Sequence, residues 1–220
     1  MERRFDEELK QLKERLLSMA GMAEQVVGKA VKALVDRNPT MAEAIIREDV
    51  AINQLEVEIE ETCLTLLARY QPEAKDLRFI AMVFKIVNDL ERVGDQAVNV
   101  SECTLDLLKE PLLKPLIDIP DMAKLAQQML KDALDAFVAQ DAELARSICR
   151  RDDEVDRLDD QVYHELLVSM TKDPGAVTRA VDLLLISRHL ERVADHATNI
   201  AEDVYYLVRG STIKHHLAGD

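Results

Sequence analysis

Residues 89–102 read DLERVGDQAVNVSE, and residues 189–202 read HLERVADHATNIAE. The two stretches lie 100 positions apart and share eight of fourteen residues: Leu, Glu, Arg, Val, Asp, Ala, Asn and Glu. A match of that density within a chain of 220 residues marks a duplicated unit. A second match lies upstream. Arg47, Asp49, Ile52, Leu55 and Glu56 pair with Arg150, Asp152, Val155, Leu158 and Asp159 at an offset of 103. Ala33–Leu34–Val35 pairs with Ala136–Phe137–Val138 at the same offset. The three-residue change in offset belongs in the loops around Pro72 and Pro174.

The duplicated material is helical. Aromatic residues are 4% of the chain, and Gly and Pro number six each, which is poor stock for β-structure. Leu, Ala, Glu, Lys, Met and Arg are abundant, and these are the strong helix formers. Ile45, Ile52, Leu55, Ile59, Leu66 and Leu67 follow the three-and-four spacing of an amphipathic helix.

Breakers divide the chain into six helices. The first is expected over 3–37. Asn38 and Pro39 start the second as N-cap and first helical residue, and it runs to Arg69. The third follows the QPEAKD loop and reaches Lys109. The fourth spans 121–139, the fifth 141–170 with Asp141 as N-cap, and the sixth ends at Arg209 before Gly210. The fold class is therefore all-α, as two tandem, pseudo-symmetric three-helix bundles. The division expected is a first repeat over 1–110, a proline-rich linker over 111–120, a second repeat over 121–210 and a frayed tail over 211–220. Gly21 and Gly28, seven apart on the first helix, read as close-packing positions.

The net charge is −14 and the pI is near 4.8. Such a surface repels nucleic acid, whose binding rests on Lys and Arg neutralising phosphates. It suits a cytoplasmic protein that attracts cations or a basic partner surface. The N-terminal residues lack the apolar region of a secretory signal, and no apolar run approaches the roughly 20 residues needed to cross a bilayer. Membrane association is thus expected only through protein contacts. Cys63, Cys103 and Cys149 form no CxxC pair and read as reduced packing residues.

At about 100° per residue, Glu91, Asp95 and Glu102 fall within roughly 40° of one another on the third helix. Glu191, Asp195 and Glu202 do the same on the sixth. Asp49 and Asn53, and Asp152 and Asp156, lie four apart on the second and fifth helices. Carboxylates at i and i+4 repel by a few tenths of a kcal/mol on an exposed helix, so a cation should offset them. A divalent or trivalent metal is one candidate, because clustered carboxylates are hard oxygen ligands. Arg92, Arg192, Arg47 and Arg150 are the protein's own candidates. His189 and His196 flank only the second motif, so a role common to both halves cannot rest on them. His164 reads as a solvated helix residue, and His215 and His216 lie in the tail. No Glu-x-x-His, Gly-rich phosphate loop, GxSxG or HExxH occurs. The chain reads as a non-enzyme, the competing reading being a metal store or metalloenzyme built on the same acids.

The duplicated LERVxDxAxNxxE motif, on the last helix of each three-helix half, resembles the PhoU family, and the likeness spans nearly the whole chain. The resemblance implies a cytoplasmic accessory protein that restrains the phosphate ABC transporter and helps silence a phosphate-sensing histidine kinase when phosphate is plentiful. It also implies a homodimer. Metal held by paired acidic motifs is implied at Glu91 and Asp95, Glu191 and Asp195, and Asp152 and Asp156, with iron, zinc, manganese or magnesium as candidates. Asp49 belongs to the fourth pair, which departs from the pattern because its partner is Asn53. The first-half site is therefore expected to be weaker or metal-free.

Overall fold

The computed structural model describes residues 2–213. Residues 214–220, with His215 and His216 and most of the expected tail, lie outside the described residues. The helices are α1 (Glu2–Val35), α2 (Pro39–Glu48), α3 (Val50–Tyr70), α4 (Ala74–Leu107), α5 (Asp118–Ala139), α6 (Ala142–Cys149), α7 (Asp152–Lys172) and α8 (Val177–Arg209), with a 3₁₀ turn at Pro174–Ala176. Among the described residues there is no strand. Two three-helix bundles result. The first is α1, the bent rod α2–α3, and α4. The second is α5, the bent rod α6–α7, and α8.

The local signals explain most boundaries. Asn38 caps α2, its side chain accepting from the Met41 amide at 3.1 Å, with Pro39 in the first turn. Asp141 caps α6, accepting from the Glu143 and Leu144 amides at 3.0 Å each. Gly210 closes α8 at φ 71, in the left-handed region that glycine adopts without a Cβ clash. The fourth rod starts earlier than expected, at Asp118 rather than Asp121. Pro120 then sits in the first turn of α5, where no intrahelical donor is required of it.

The second and fifth rods are each broken, where one continuous helix was expected. The first break falls at Asp49. The Ile52 amide donates to the Asp49 carbonyl at 2.9 Å, a tightened i+3 bond. The other break falls at Arg150–Arg151, with i+3 bonds from Arg151 to Ile148 at 2.9 Å and from Glu154 to Arg151 at 3.0 Å. Each tight turn bends its rod, so that both segments lie against the motif helix of the same half. The bend also places Asp49 and Asp152, paired by the repeat, at the joints.

The two bundles share one core. α4 packs on α8, and α1 on α5, so equivalent helices meet equivalent helices across the halves. Leu90, Val93, Ala97 and Val100 of α4 and Leu190, Val193, Ala197 and Ile200 of α8 are all buried in the same apolar cluster. Each such fully buried branched side chain contributes about 1.5–3 kcal/mol. Gly28 is a close approach, since a Cβ there would stand 2.7 Å from the Gln127 amide nitrogen of α5. Gly21 is not: nothing lies within 4 Å, and the packing role expected for it is absent. The chain between the halves is tied from both sides, by Arg37 donating to the Glu110 carbonyl at 2.7 Å and Arg179 donating to the Pro111 carbonyl at 3.1 Å. No described helix is long and apolar enough to cross a membrane.

Candidate metal centres

The acidic pairs converge as two clusters, one in each half. In the first, Asp49 at the α2–α3 joint faces Glu91 and Asp95 of α4. Gly94 makes this approach feasible, because a Cβ there would stand 3.1 Å from Asp49 Oδ1 and 3.2 Å from Ile52 Cδ1. Asn53 Nδ2 donates to Asp49 Oδ2 at 2.9 Å. Burial raises the Asp49 carboxyl above its ordinary range, and the Asp95 charge adds to this against the Asn53 bond. Burial, then Asp95, then Glu56 raise Glu91.

In the second cluster Asp152 opens α7, with Asp156 one turn on; Asp152 feels the charge of Asp195 of α8, and Asp156 acts on both Glu191 and Asp195. Burial, then the charges of Asp195 and Asp156, push Asp152 up to about 6. Burial followed by Asp156 raises Asp195, and burial followed by Asp195 raises Glu191. Asp156 is raised by burial, then by Asp153 and Asp159. These mutual influences show that the i, i+4 pairs of neighbouring helices share one electrostatic environment.

The protein's own cations offset the clusters in part, and not as expected. Arg92 meets Glu91 at 3.5 Å and Asp95 at 3.4 Å. Arg47 turns away to Glu43 at 3.7 Å, and Arg150 has no ion pair among the described residues. Arg192 acts on Asp195 and on His189 through its charge alone. The effective cation of the second half is Arg188, bridging Asp159 at 2.9 Å and Glu191 at 3.2 Å. Asp159 is buried and also accepts from Ser187 Oγ at 2.7 Å. Its repeat partner Glu56 borders the first cluster beside Asn88. Sequence reading passed over Glu56, Asp159 and Arg188 as site residues, although the first two end the matched upstream pattern.

Oxygen remains uncommitted at both centres. Asp49 Oδ1, Asn53 Oδ1 and Asp152 Oδ1 are buried without a hydrogen-bond partner, and Glu91 Oε2 has only the long contact to Arg92. Those donors suit a hard cation. As placed, no three His, Cys, Asp or Glu side chains among the described residues close around an ion. The donor chemistry fits, while the ligand shell is open.

The remaining candidates lie elsewhere. His189 and His196 sit in the α4–α8 seam, where His189 Nδ1 is 2.9 Å from Gln96 Oε1. His164 is exposed beside the Tyr163 ring. Glu202 lies by Cys149 rather than in a cluster. Burial pushes the thiols up, Cys63 to about 12 and Cys103 and Cys149 to about 11, which suits inert packing residues.

A family model described as "PhoU domain" matches the chain twice, over residues 16–104 and 119–204. A phosphate-specific transport system accessory protein PhoU homolog of Aquifex aeolicus is 42% identical over 208 residues, covering 94% of each chain. The crystal structure of PhoU from Pseudomonas aeruginosa superposes with a TM-score of 0.91 at 41% identity, covering 94% of this chain and 100% of that one. The crystal structure of the phosphate transport system regulatory protein PhoU from Streptococcus pneumoniae gives 0.89 at 36% identity, covering 96% and 99%. Matched in both halves and almost end to end, the chain belongs to the PhoU family.

Proposed function

We propose that this chain is a non-enzymatic, cytoplasmic regulatory adaptor of phosphate homeostasis. In this reading it restrains a phosphate ABC transporter and quiets a phosphate-sensing histidine kinase when phosphate is abundant. The observation that carries the reading is the near end-to-end likeness to relatives whose names make them accessory proteins of phosphate-specific transport. The site supports it by what it offers. Two acidic faces repeat around one shared core. The working unit is a homodimer of two-repeat chains, with 1–110 and 121–210 as the repeats joined by 111–120. It reaches the membrane only through its partners.

Metal is part of the proposal. Asp152, Asp156, Glu191 and Asp195 would hold a hard cation in the second half, and Asp49, Glu91 and Asp95 a weaker one in the first. A bound iron, zinc, manganese or magnesium ion would supply positive charge that cross-links the bent rod to the motif helix. Asp152, raised by burial and then by Asp195, and Asp195, raised by burial and then by Asp156, are the groups whose ionisation that charge favours. The adaptor would then present one stiffened face to its partner.

A clean deletion tests the function. A phosphate-starvation promoter fused to a reporter should stay on at high phosphate in the deletion strain, and wild-type protein should restore repression. Normal repression in a strain holding no second copy overturns the reading.

A further inference from the structure

One cavity of the molecule is basic rather than acidic. It lies at the end of the bundle, encloses about 510 Å³, and is framed by the N-terminal third of α1, the first turns of α4, Gln140 after α5 and the last turn of α8. Lys10 and Lys13 of α1 and Lys75 and Arg78 of α4 line it, against one carboxylate, Asp76. Four cations to one acid reverse the balance of a chain whose net charge is −14. Against that overall negative charge, this wall attracts a polyanion.

These cations are not spent on the protein's own acids. Lys13 and Lys75 have no carboxylate within ion-pair reach among the described residues, and Lys10 has only a 3.8 Å contact with Glu14. Lys13 Nζ stands 5.8 Å above the Phe137 ring. Arg78 is held in place, stacked over Tyr206 at 5.7 Å and donating to the Leu207 carbonyl at 3.4 Å. The N-terminus of α4, whose Glu73 cap makes no side-chain bond, opens beside Lys75 and adds its positive end to the field. The opposite part of the wall is apolar. Phe79 borders the cavity and is stacked on buried Phe137, at 5.9 Å between centroids and 24° between planes. Leu9 and Leu207 flank it.

We propose that this cavity binds a nucleoside di- or triphosphate, with the phosphates on Lys10, Lys13 and Lys75 and the base against Phe79. Inorganic phosphate alone would leave most of the volume and the whole apolar wall empty. A concave site of this size with a few convergent polar groups is the normal form of a small-molecule pocket, and an aromatic ring offers a stacking face that any base can use. The site shares no residue with the acidic clusters, and the proposal does not depend on the phosphate-transport reading.

Isothermal titration calorimetry of the full chain tests it, with ATP, tripolyphosphate and adenosine as probes. ATP should bind saturably and adenosine should not. Lys13→Glu with Lys75→Glu should weaken ATP at least about tenfold, as expected when two phosphate contacts are reversed. Phe79→Leu should weaken ATP about threefold or more while leaving tripolyphosphate unchanged, because only the base meets the ring. Circular dichroism and melting curves control for folding. Should the double variant unfold, Lys75→Gln, an exposed change, gives the same readout on its own. No ATP binding at millimolar concentration overturns the proposal. So does an ATP affinity indifferent to Lys75→Gln. Equal ATP and tripolyphosphate affinities, both insensitive to Phe79→Leu, would make this an inorganic polyanion site and overturn the nucleotide assignment.

Discussion

His196 Nδ1 lies 2.9 Å from Asp89 Oδ1, on opposite sides of the α4–α8 seam. The offset of 100 exchanges 89 with 189 and 96 with 196, and the exchanged pair, His189 and Gln96, also meets at 2.9 Å. α4 and α8 therefore cross about a local two-fold axis, and the flanking positions of the motif are its contact residues. Asn199 Nδ2 adds a second donor to Asp89 at 3.2 Å.

That contact should be energetically coupled. His196→Ala and Asp89→Ala should each destabilise by about 1–2 kcal/mol, because each leaves a half-buried polar partner less satisfied. The double variant should cost less than the sum by about 0.5 kcal/mol or more. Urea unfolding of the four proteins measures this, and strict additivity would mean that the two side chains contribute independently.

The acidic clusters set a pH dependence. Asp152 titrates near 3.8 when unfolded and at about 6 in the fold, so the folded state binds the extra proton between those values. Stability of chelator-treated protein should therefore fall as pH rises from about 4 through about 6. Asp49, Glu191 and Asp195, raised by burial, act in the same direction. Asp152→Asn should remove part of that fall and stabilise metal-free protein at neutral pH by about 1 kcal/mol after solvent screening. Thermal melts from about pH 4 to about pH 8, which bracket that window, check it. A variant whose melting curve keeps the wild-type slope would assign the pH effect to other groups.

Charge count should rank the two centres. Asp156→Asn with Asp195→Asn removes two of four carboxylates in the second cluster. Metal retained through chelator-free purification should drop to less than about half, since oxygen-site affinity follows ligand charge. Helical circular dichroism should be unchanged. The matched change Glu91→Gln with Asp95→Asn should lower metal content less. Full retention by the second-half variant would mean that the neighbouring arginines, Arg188, Arg192 and Arg92, offset these acids without a metal.

Gly94 limits how near α3 can come to α4. Gly94→Ala should stay within about 1 kcal/mol of wild type, helix propensity offsetting the tight contact. Gly94→Leu should cost more than about 2 kcal/mol, because Asp49 and Ile52 would have to withdraw. Calorimetric melting measures both. A well-tolerated leucine would show that the joint at Asp49 gives way readily.

The amino-acid pattern alone determined the all-α class, the duplication and the pairing of Glu91–Asp95 with Glu191–Asp195. These are legible because helix propensity, apolar period and a fixed offset are local properties of the chain. The caps at Asn38 and Asp141 and the stop at Gly210 were legible for the same reason. The breaks at Asp49 and at Arg150–Arg151 were not, since no Pro or Gly marks them and the bends follow from wrapping around α4 and α8. The choice of counter-cation was legible only in part: Arg188 lies one turn before Glu191, a local i,i+3 pair, but its reach from α8 to Asp159 on α7, and the turning away of Arg47 to Glu43, are set by packing. The basic cavity is the extreme case. Lys13, Lys75, Phe79 and Leu207 come from three helices far apart in sequence, and only the packing of α1, α4 and α8 brings them to one wall.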